Sequence, residues 1–388
     1  MTERAEVVIA GGGVIGTSIA FHLAKLGLTD VILLERAHLA SGSTGRSVGN
    51  IETAYATDVN VVLAKLGYEE LSRFPEATGA TAEFHPRRYL ETVRDVRHRE
   101  LLERKDRVLR AHGLHPRILE PREILEIFPE MRTDDVAGAL LVEEAGFCDP
   151  TSVARGYAAA AKRLRVRVQT GRPVERVLTA RGEVSGVRTP SGDVRSAVVV
   201  NAAGPWCNDL NRPLGFELPV RRWQRQVFVT TPHPEIPADR PMYSDLTARF
   251  YFRQELDGGF VLGLVEDVAA DDLANPETDW TFKIRAVEAA VHRVPKLVDT
   301  SVANGWSGVV TFTPDQLPVL GPVDSPKGYY LANGMSGYGV MISPAVGIAL
   351  AETIVHGSSR AVDLFPLRYD RFGDPHGGYP AGLWPVSG

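Results

Sequence analysis

The sequence predicts an α/β protein: a doubly wound, mostly parallel sheet domain with an inserted domain of mixed, mostly antiparallel sheet. Three observations lead there. An apolar run, a glycine turn, a helical apolar repeat and a second apolar run make β–α–β within the first 35 residues. Alternation at period two then dominates from about residue 215 to residue 310. Finally, strand, glycine turn and helix recur after Gly328. At 388 residues the chain is long for one compact domain, so two lobes are expected.

In chain order, Glu6–Ala10 reads as a short apolar strand, Val14–Leu26 as a helix and Val31–Leu34 as a second buried strand. The polar, Gly/Ser-rich loop Ser41–Asn50 leads into a helix near Val61–Phe74. Short strands, a charged helix and Pro-bounded turns alternate over residues 76–145, where Arg-rich Val96–Arg110 reads as a solvated helix face. Thr151–Leu164 is helical, with Thr151 or Pro150 as its start signal. Val166–Gln169, Val174–Thr179, Val184–Arg188 and Ala197–Asn201 read as strands. Gln226–Thr231, Phe250–Arg253 and Phe260–Leu264 read as antiparallel strands, followed by a helix near Phe282–Val294. Gly328–Leu331 and Ser343–Val355 close the series as strand and helix. The shifts in composition divide the chain into a doubly wound domain (residues 1–75, 146–214 and 322–372) and an inserted domain (76–145 and 215–321). Residues 373–388 are expected to form an irregular tail.

Composition removes several functional classes. Hydrophobic residues make up 44% and charged residues 23%, the balance of a folded globular chain. A formal net charge of −5, with basic residues scattered, argues against nucleic acid or an anionic membrane as partner. No stretch approaches the roughly 20 apolar residues that span a bilayer. The first residues also lack a basic segment followed by a long apolar one, so a soluble, cytoplasmic protein is expected. Cys148 and Cys207 have no metal-ligand spacing and are expected as buried free thiols; no metal site is expected.

Three motifs carry chemistry. In Gly11-Gly12-Gly13-Val14-Ile15-Gly16 a strand meets a helix N-terminus, where side-chain-free N–H groups can receive a diphosphate. Gly11 serves the tight turn, Gly13 the phosphate approach and Gly16 close helix–strand packing. Glu35, 19 residues after Gly16 at the end of the second strand, can accept bonds from ribose hydroxyls and would repel a 2′-phosphate. This is a Rossmann-type dinucleotide signal that does not by itself separate FAD from NAD. The loop Ser41–Ser47 brings hydroxyls from Ser43, Thr44 and Ser47, and one cation, Arg46, suited to offsetting diphosphate charge. Gly334-Met335-Ser336-Gly337-Tyr338-Gly339, with Ser343-Pro344 opening the last helix, offers a second helix N-terminus that favours negative charge.

These motifs, with Asn201-Ala-Ala-Gly-Pro-Trp206, Trp306–Asp315 and Pro318–Gly321, occur in the order seen in one flavoenzyme family. The chain resembles the D-amino-acid oxidase superfamily, in the branch of glycine oxidase, sarcosine oxidase and dehydrogenase, dimethylglycine dehydrogenase and D-arginine dehydrogenase. The resemblance covers residues 5–357. It implies a Rossmann-type domain binding FAD through the three motifs together with Arg36, Val174, Ala202, Gly204 and Trp206, under a roof formed by the second domain. It also implies hydride transfer from the carbon beside an amine nitrogen to flavin N5, giving an imine that water hydrolyses, with O2 or another acceptor taking the electrons. Such chemistry needs orientation and a deprotonated amine more than a strong base.

The chain departs from its relatives in places. Where some relatives attach flavin through a His, this chain has Gly45-Arg46; where another uses a Cys, it has Gly308, so non-covalent FAD is expected. Two Arg positions that hold a substrate carboxylate are Glu52 and Val309-Val310. Either Arg225, Arg249 or Arg253 takes over, or the substrate has no free α-carboxylate; Glu52 either meets a cationic substrate or is a surface charge. The Lys that promotes reaction with oxygen in one relative falls near Val261. Tyr55 and Tyr251 match substrate-contacting tyrosines of D-arginine dehydrogenase-like enzymes, or are packing aromatics. His22 reads as a packing residue. The expected activity is FAD-dependent oxidation of a C–N bond in a small amine or amino acid. The rivals are 2-hydroxy-acid oxidation and a flavin-carrying subunit without its own substrate.

Overall fold

A computed structural model describes residues 3–373, so nearly all of the expected tail lies outside the described residues. The apolar runs of the first 35 residues form the centre of a six-stranded sheet, ordered Val319–Pro322, Tyr329–Asn333, Val198–Asn201, Val7–Ala10, Val31–Leu34, Arg167–Gln169. All neighbours are parallel except the edge strand Val319–Pro322. Side chains alternate across the sheet. Val7, Ile9, Val31 and Leu33 pack towards the helices, whereas Val8, Ala10, Ile32 and Leu34 pack against Val177, Val184, Val187 and Val194. The second face is thus covered by a four-stranded sheet ordered Glu3–Arg4, Val194–Arg195, Glu183–Arg188, Arg176–Ala180.

The helical face is built from Val14–Lys25, flanked by Pro150–Arg163 and Gly339–His356. Close crossings require small residues: a Cβ on Gly347 would strike Ser18 and His22, and one on Gly67, in the helix Asp58–Ser72, would strike the Met341 carbonyl. His22 is a packing residue, its Nδ1 2.8 Å from the Ser18 carbonyl, and burial pushes its pKa down to about 4.

Several helix ends differ from expectation. Asp149, rather than Thr151 or Pro150, caps Pro150–Arg163, accepting from the Ser152 N–H. The last helix begins at Gly339, placing Ser343 and Pro344 inside it. Proline there removes the donor that the Val340 carbonyl would receive, and Ser343 Oγ supplies the replacement at 2.8 Å. By length and composition this 18-residue helix would also suit a membrane span, although the sequence shows no unbroken apolar run of that length. Its place against the helices Val14–Lys25 and Asp58–Ser72 makes it a core helix.

The inserted domain centres on a ten-stranded sheet ordered Val268–Ala269, Arg221–Thr230, Phe260–Leu264, Phe250–Gln254, Met242–Asp245, His85–Val93, Gly138–Phe147, Asn50–Ile51, with Val302–Phe312 and Arg117–Leu119 off this path. Every pairing is antiparallel except that of Met242–Asp245 with His85–Val93. That parallel pair joins the two separate segments of the inserted domain into one sheet. Val302–Phe312 was not anticipated as a strand; its pairing with Arg221–Thr230 also carries that strand five residues further back than the alternation suggested. Asn50–Ile51, within the segment 1–75, joins this sheet, and Val319–Pro322 joins the other.

Both cysteines are buried free thiols, and burial pushes each to about 12. No cluster of metal ligands occurs among the described residues.

Candidate active site

A cavity of about 460 Å³ runs from the first glycine turn, past Ser41–Ser47 and Gly337–Met341, to the underside of the large sheet. At its first end, Gly11 has φ +119° and lies so close to Ala202 that a Cβ would strike that residue's carbonyl. Gly16 abuts the Gly11 carbonyl, which brings the helix down onto the turn. A Cβ on Gly13, by contrast, would meet only Thr44 Oγ1, at 3.1 Å, and otherwise space. Thr44 accepts the Val14 N–H at 3.1 Å, while those of Gly13 and Ile15 have no partner among the described residues. A side-chain-free cradle with free donors at a helix N-terminus fits a diphosphate.

Glu35 is 7% exposed and accepts from the Gly12 N–H at 2.7 Å and the Ala37 N–H at 2.8 Å. The Ser41 hydroxyl donates a third bond at 3.3 Å, and as a carboxylate has about four acceptor positions, capacity remains for a ribose hydroxyl. Beside it the Arg36 guanidinium lies 3.7 Å from the Trp206 ring centre, and Val174, Ala202 and Gly204 complete this end. Arg46, the cation expected to offset diphosphate charge, lines the cavity, with its guanidinium bonded to the inserted domain. Its guanidinium bonds the Ser307 carbonyl (3.1 Å), the Ala274 carbonyl (2.8 Å) and Asn275 (3.3 Å), which ties the loop to the inserted domain. Ser43 likewise donates to the Val309 carbonyl. Ser47, Met335, Ser336, Gly337, Tyr338 and Gly339 line the middle of the cavity; Gly16 and Gly334 do not, and Gly334 is packed against Thr313.

The far chamber is walled by Glu52, Tyr55, Tyr89, Glu91, Lys105, Arg225, Ser244, Tyr251 and Tyr338. Tyr55 is buried, donates to Glu52 Oε1 at 2.5 Å, and meets Tyr338 edge-on with ring centres 5.6 Å apart. Glu52 is therefore a wall residue and not a surface charge. Burial pushes its carboxyl up to about 7, with neighbouring Glu91 adding to the rise and the Tyr55 hydroxyl opposing it. Tyr251 lies across Gly263, where any Cβ would strike its ring.

Of the three arginines weighed as carboxylate clamps, Arg225 alone reaches the chamber wall. It already bonds the Glu266 carbonyl and Asp267 (3.2 Å), the latter shared with Arg249. Arg253 sits 4.2 Å from the Phe147 ring centre and pairs with Glu255. Val261 is buried and off the cavity wall; the lysine that does line it is Lys105, paired with Glu91 at 2.5 and 2.7 Å. The charge pattern predicts a solvated face for the helix Arg99–Ala111, but the helix buries Lys105 to 1% exposure against Glu91. Among the described residues, no histidine lines the cavity.

A second unanticipated pair explains the Thr313-Pro314-Asp315 motif. Asp315 and Arg371 form a buried two-point ion pair at 2.7 and 3.1 Å, and Arg371 also bonds the Leu317 carbonyl at 2.9 Å. The loop so held carries Gln316, whose carbonyl accepts from the Tyr338 hydroxyl at 3.0 Å.

A dinucleotide cradle opening into a chamber beneath an antiparallel roof defines a two-domain flavoprotein oxidoreductase. Residues 6–353 match the FAD dependent oxidoreductase (DAO) family, and the chain belongs to it, with FAD as its cofactor. It is 32% identical over 392 residues to the mitochondrial dimethylglycine dehydrogenase of Rattus norvegicus, covering 96% of this chain and 45% of that protein. It is 30% identical over 371 residues to the mitochondrial sarcosine dehydrogenase of Homo sapiens, covering 92% and 40%. The chain thus spans less than half the length of these relatives. Among solved structures it is similar to L-proline dehydrogenase from P. horikoshii, with TM-score 0.89 and 27% identity, covering 96% of this chain and 99% of that one.

Proposed function

We propose that the protein oxidises the C–N bond of a small amine or amino acid, with N-substituted compounds foremost, to an imine that water then hydrolyses. Bound FAD would supply the two-electron acceptor, taking hydride at N5. One observation carries the reading: the diphosphate cradle and a chamber walled by Glu52 and four tyrosines, Tyr55, Tyr89, Tyr251 and Tyr338, are parts of one continuous cavity. The cradle and Glu35 would hold the dinucleotide. The aromatic walls would exclude water and fix the substrate, and Glu52 and Arg225 would supply polar contacts of opposite sign.

We propose further that FAD is held non-covalently. The places where relatives link flavin hold Gly45-Arg46 and Gly308, which offer no His or Cys, and the Arg46 guanidinium is bound to the Ser307 and Ala274 carbonyls. Acid precipitation of the purified protein is expected to leave the flavin in solution; flavin in the pellet would disprove this.

The activity is tested by anaerobic reduction with amino acids, N-methyl amino acids, polyamines and 2-hydroxy acids. Bleaching by one or more amines is expected. Reduction by hydroxy acids alone would overturn the reading, and no reduction by any compound would point to a flavin-carrying subunit.

A further inference from the structure

The geometry points to Glu52 as the group that binds the substrate's protonated nitrogen and takes its proton before the C–H bond breaks. This rests on the reading of the chamber as the site of amine oxidation, and it adds to that reading a catalytic residue and a substrate charge.

Charge pairing within the chamber singles Glu52 out. Glu91 and Lys105 satisfy each other through both carboxylate oxygens, and Arg225 is paired with Asp267. Glu52 has no cationic partner among the described residues. Its Oε1 accepts from Tyr55, whereas Oε2 has no hydrogen-bond partner among the described residues. Its backbone N–H lies 3.3 Å from Met341 Sδ, which fixes the residue on the start of the last helix. Tyr55 faces it from its own segment, Tyr89 and Glu91 from the strand His85–Val93, Lys105 from the helix Arg99–Ala111, and Tyr338 from the cap of the last helix. A half-buried anion on the cavity wall, with one open oxygen and aromatic neighbours, suits a cationic nitrogen.

The chemistry requires such a group. An alkylamine is protonated in neutral water, as lysine is. Loss of hydride from the neighbouring carbon needs the nitrogen lone pair, so one proton must leave first. In the chamber an N–H bond of the ammonium breaks and an O–H bond forms at Oε2. The ion pair becomes a neutral acid and a neutral amine, a change favoured away from water. Tyr55 keeps its bond to Oε1 throughout. Burial makes Glu52 a stronger base than a solvated glutamate, and it is ionised above about pH 7, ready to receive a cation.

The test uses the FAD-loaded enzyme and Glu52→Gln. Two probes report on it: tetramethylammonium, which carries charge but no proton to give, and whichever of sarcosine, N,N-dimethylglycine and N-methylbutylamine bleaches the wild type. Tetramethylammonium is expected to perturb the flavin spectrum of the wild type at pH 8, and to bind at least about tenfold more weakly to Glu52→Gln. The reduction rate of Glu52→Gln at pH 7 is expected to fall about 100-fold and to recover as pH approaches the amine's own pKa. An unchanged tetramethylammonium affinity together with an unchanged pH profile would overturn the assignment. Should Glu52→Gln not fold, Tyr55→Phe serves: losing the hydroxyl bond shifts the acid limb of the wild-type profile to higher pH, and an unmoved limb would overturn the assignment. If no amine bleaches the wild type, the proposed activity fails, while the tetramethylammonium titration still decides whether Glu52 is a cation site.

Discussion

Glu35 joins two functions in one side chain, because the carboxylate that faces the cavity also closes the glycine turn through the Gly12 N–H. Glu35→Ala is therefore expected to weaken FAD binding about 10- to 100-fold and to leave a buried donor unpaired, at about 1–3 kcal/mol. Flavin fluorescence on dilution measures the first effect, and unchanged retention would remove the ribose role. Glu52 makes the opposite compromise. Its carboxyl is held at about 7 in the fold against 4.5 when unfolded, so stability falls as pH rises from about 4.5 and the full penalty applies above about 7. Glu52→Gln is expected to melt above the wild type at pH 8, with the gap closing towards pH 5; an equal gap at both would contradict the shift. Both glutamates were readable as candidates, since Glu35 follows a local spacing and Glu52 replaces an expected arginine. Lys105 was not: it lies among the charges of an amphipathic helix, and its partner Glu91 is 14 residues away on a strand whose pairing no local period reveals.

At the scale of elements, the last helix shows where sequence signals mislead. Ser343-Pro344 looks like a helix start, yet the pair lies one turn inside, where the Ser343 hydroxyl replaces the donor that proline lacks. Ser343→Ala is expected to cost about 1–3 kcal/mol, read as a lowered denaturation midpoint, because the Val340 carbonyl loses that donor. A midpoint within error of wild type would mean that the carbonyl finds another partner. Gly347→Val is expected to cost more, since the helices at Ser18 and His22 would have to separate. The parallel strands near the N-terminus were legible because they are buried on both faces and read as unbroken apolar runs. Val302–Phe312 escaped because its outer residues are partly exposed and its partner strand lies about eighty residues earlier.

The molecule as a whole is held by pairings between distant segments. The alternation of strand types gave the two-domain fold, but no local signal announced Asp315–Arg371, which straps the segment Tyr369–Gly373 to the loop beneath Tyr338. Arg371→Ala leaves Asp315 buried without its cation and is expected to cost about 3–5 kcal/mol, with faster loss of FAD than from the wild type. Unaltered FAD release alongside a lowered melting temperature would confine the strap to a structural part.

The same strap bears on how the protein is made. The strand Val7–Ala10 has Val198–Asn201 as one neighbour, the cavity is finished by Met335–Met341, and the loop below is fixed by Arg371. A growing chain on the ribosome therefore carries its glycine turn early but has no complete flavin pocket until residue 371 has been made. Tight flavin binding is expected only after the segments from Val7 to Arg371 have all been made, so a chain stopped before Met335 should not retain FAD.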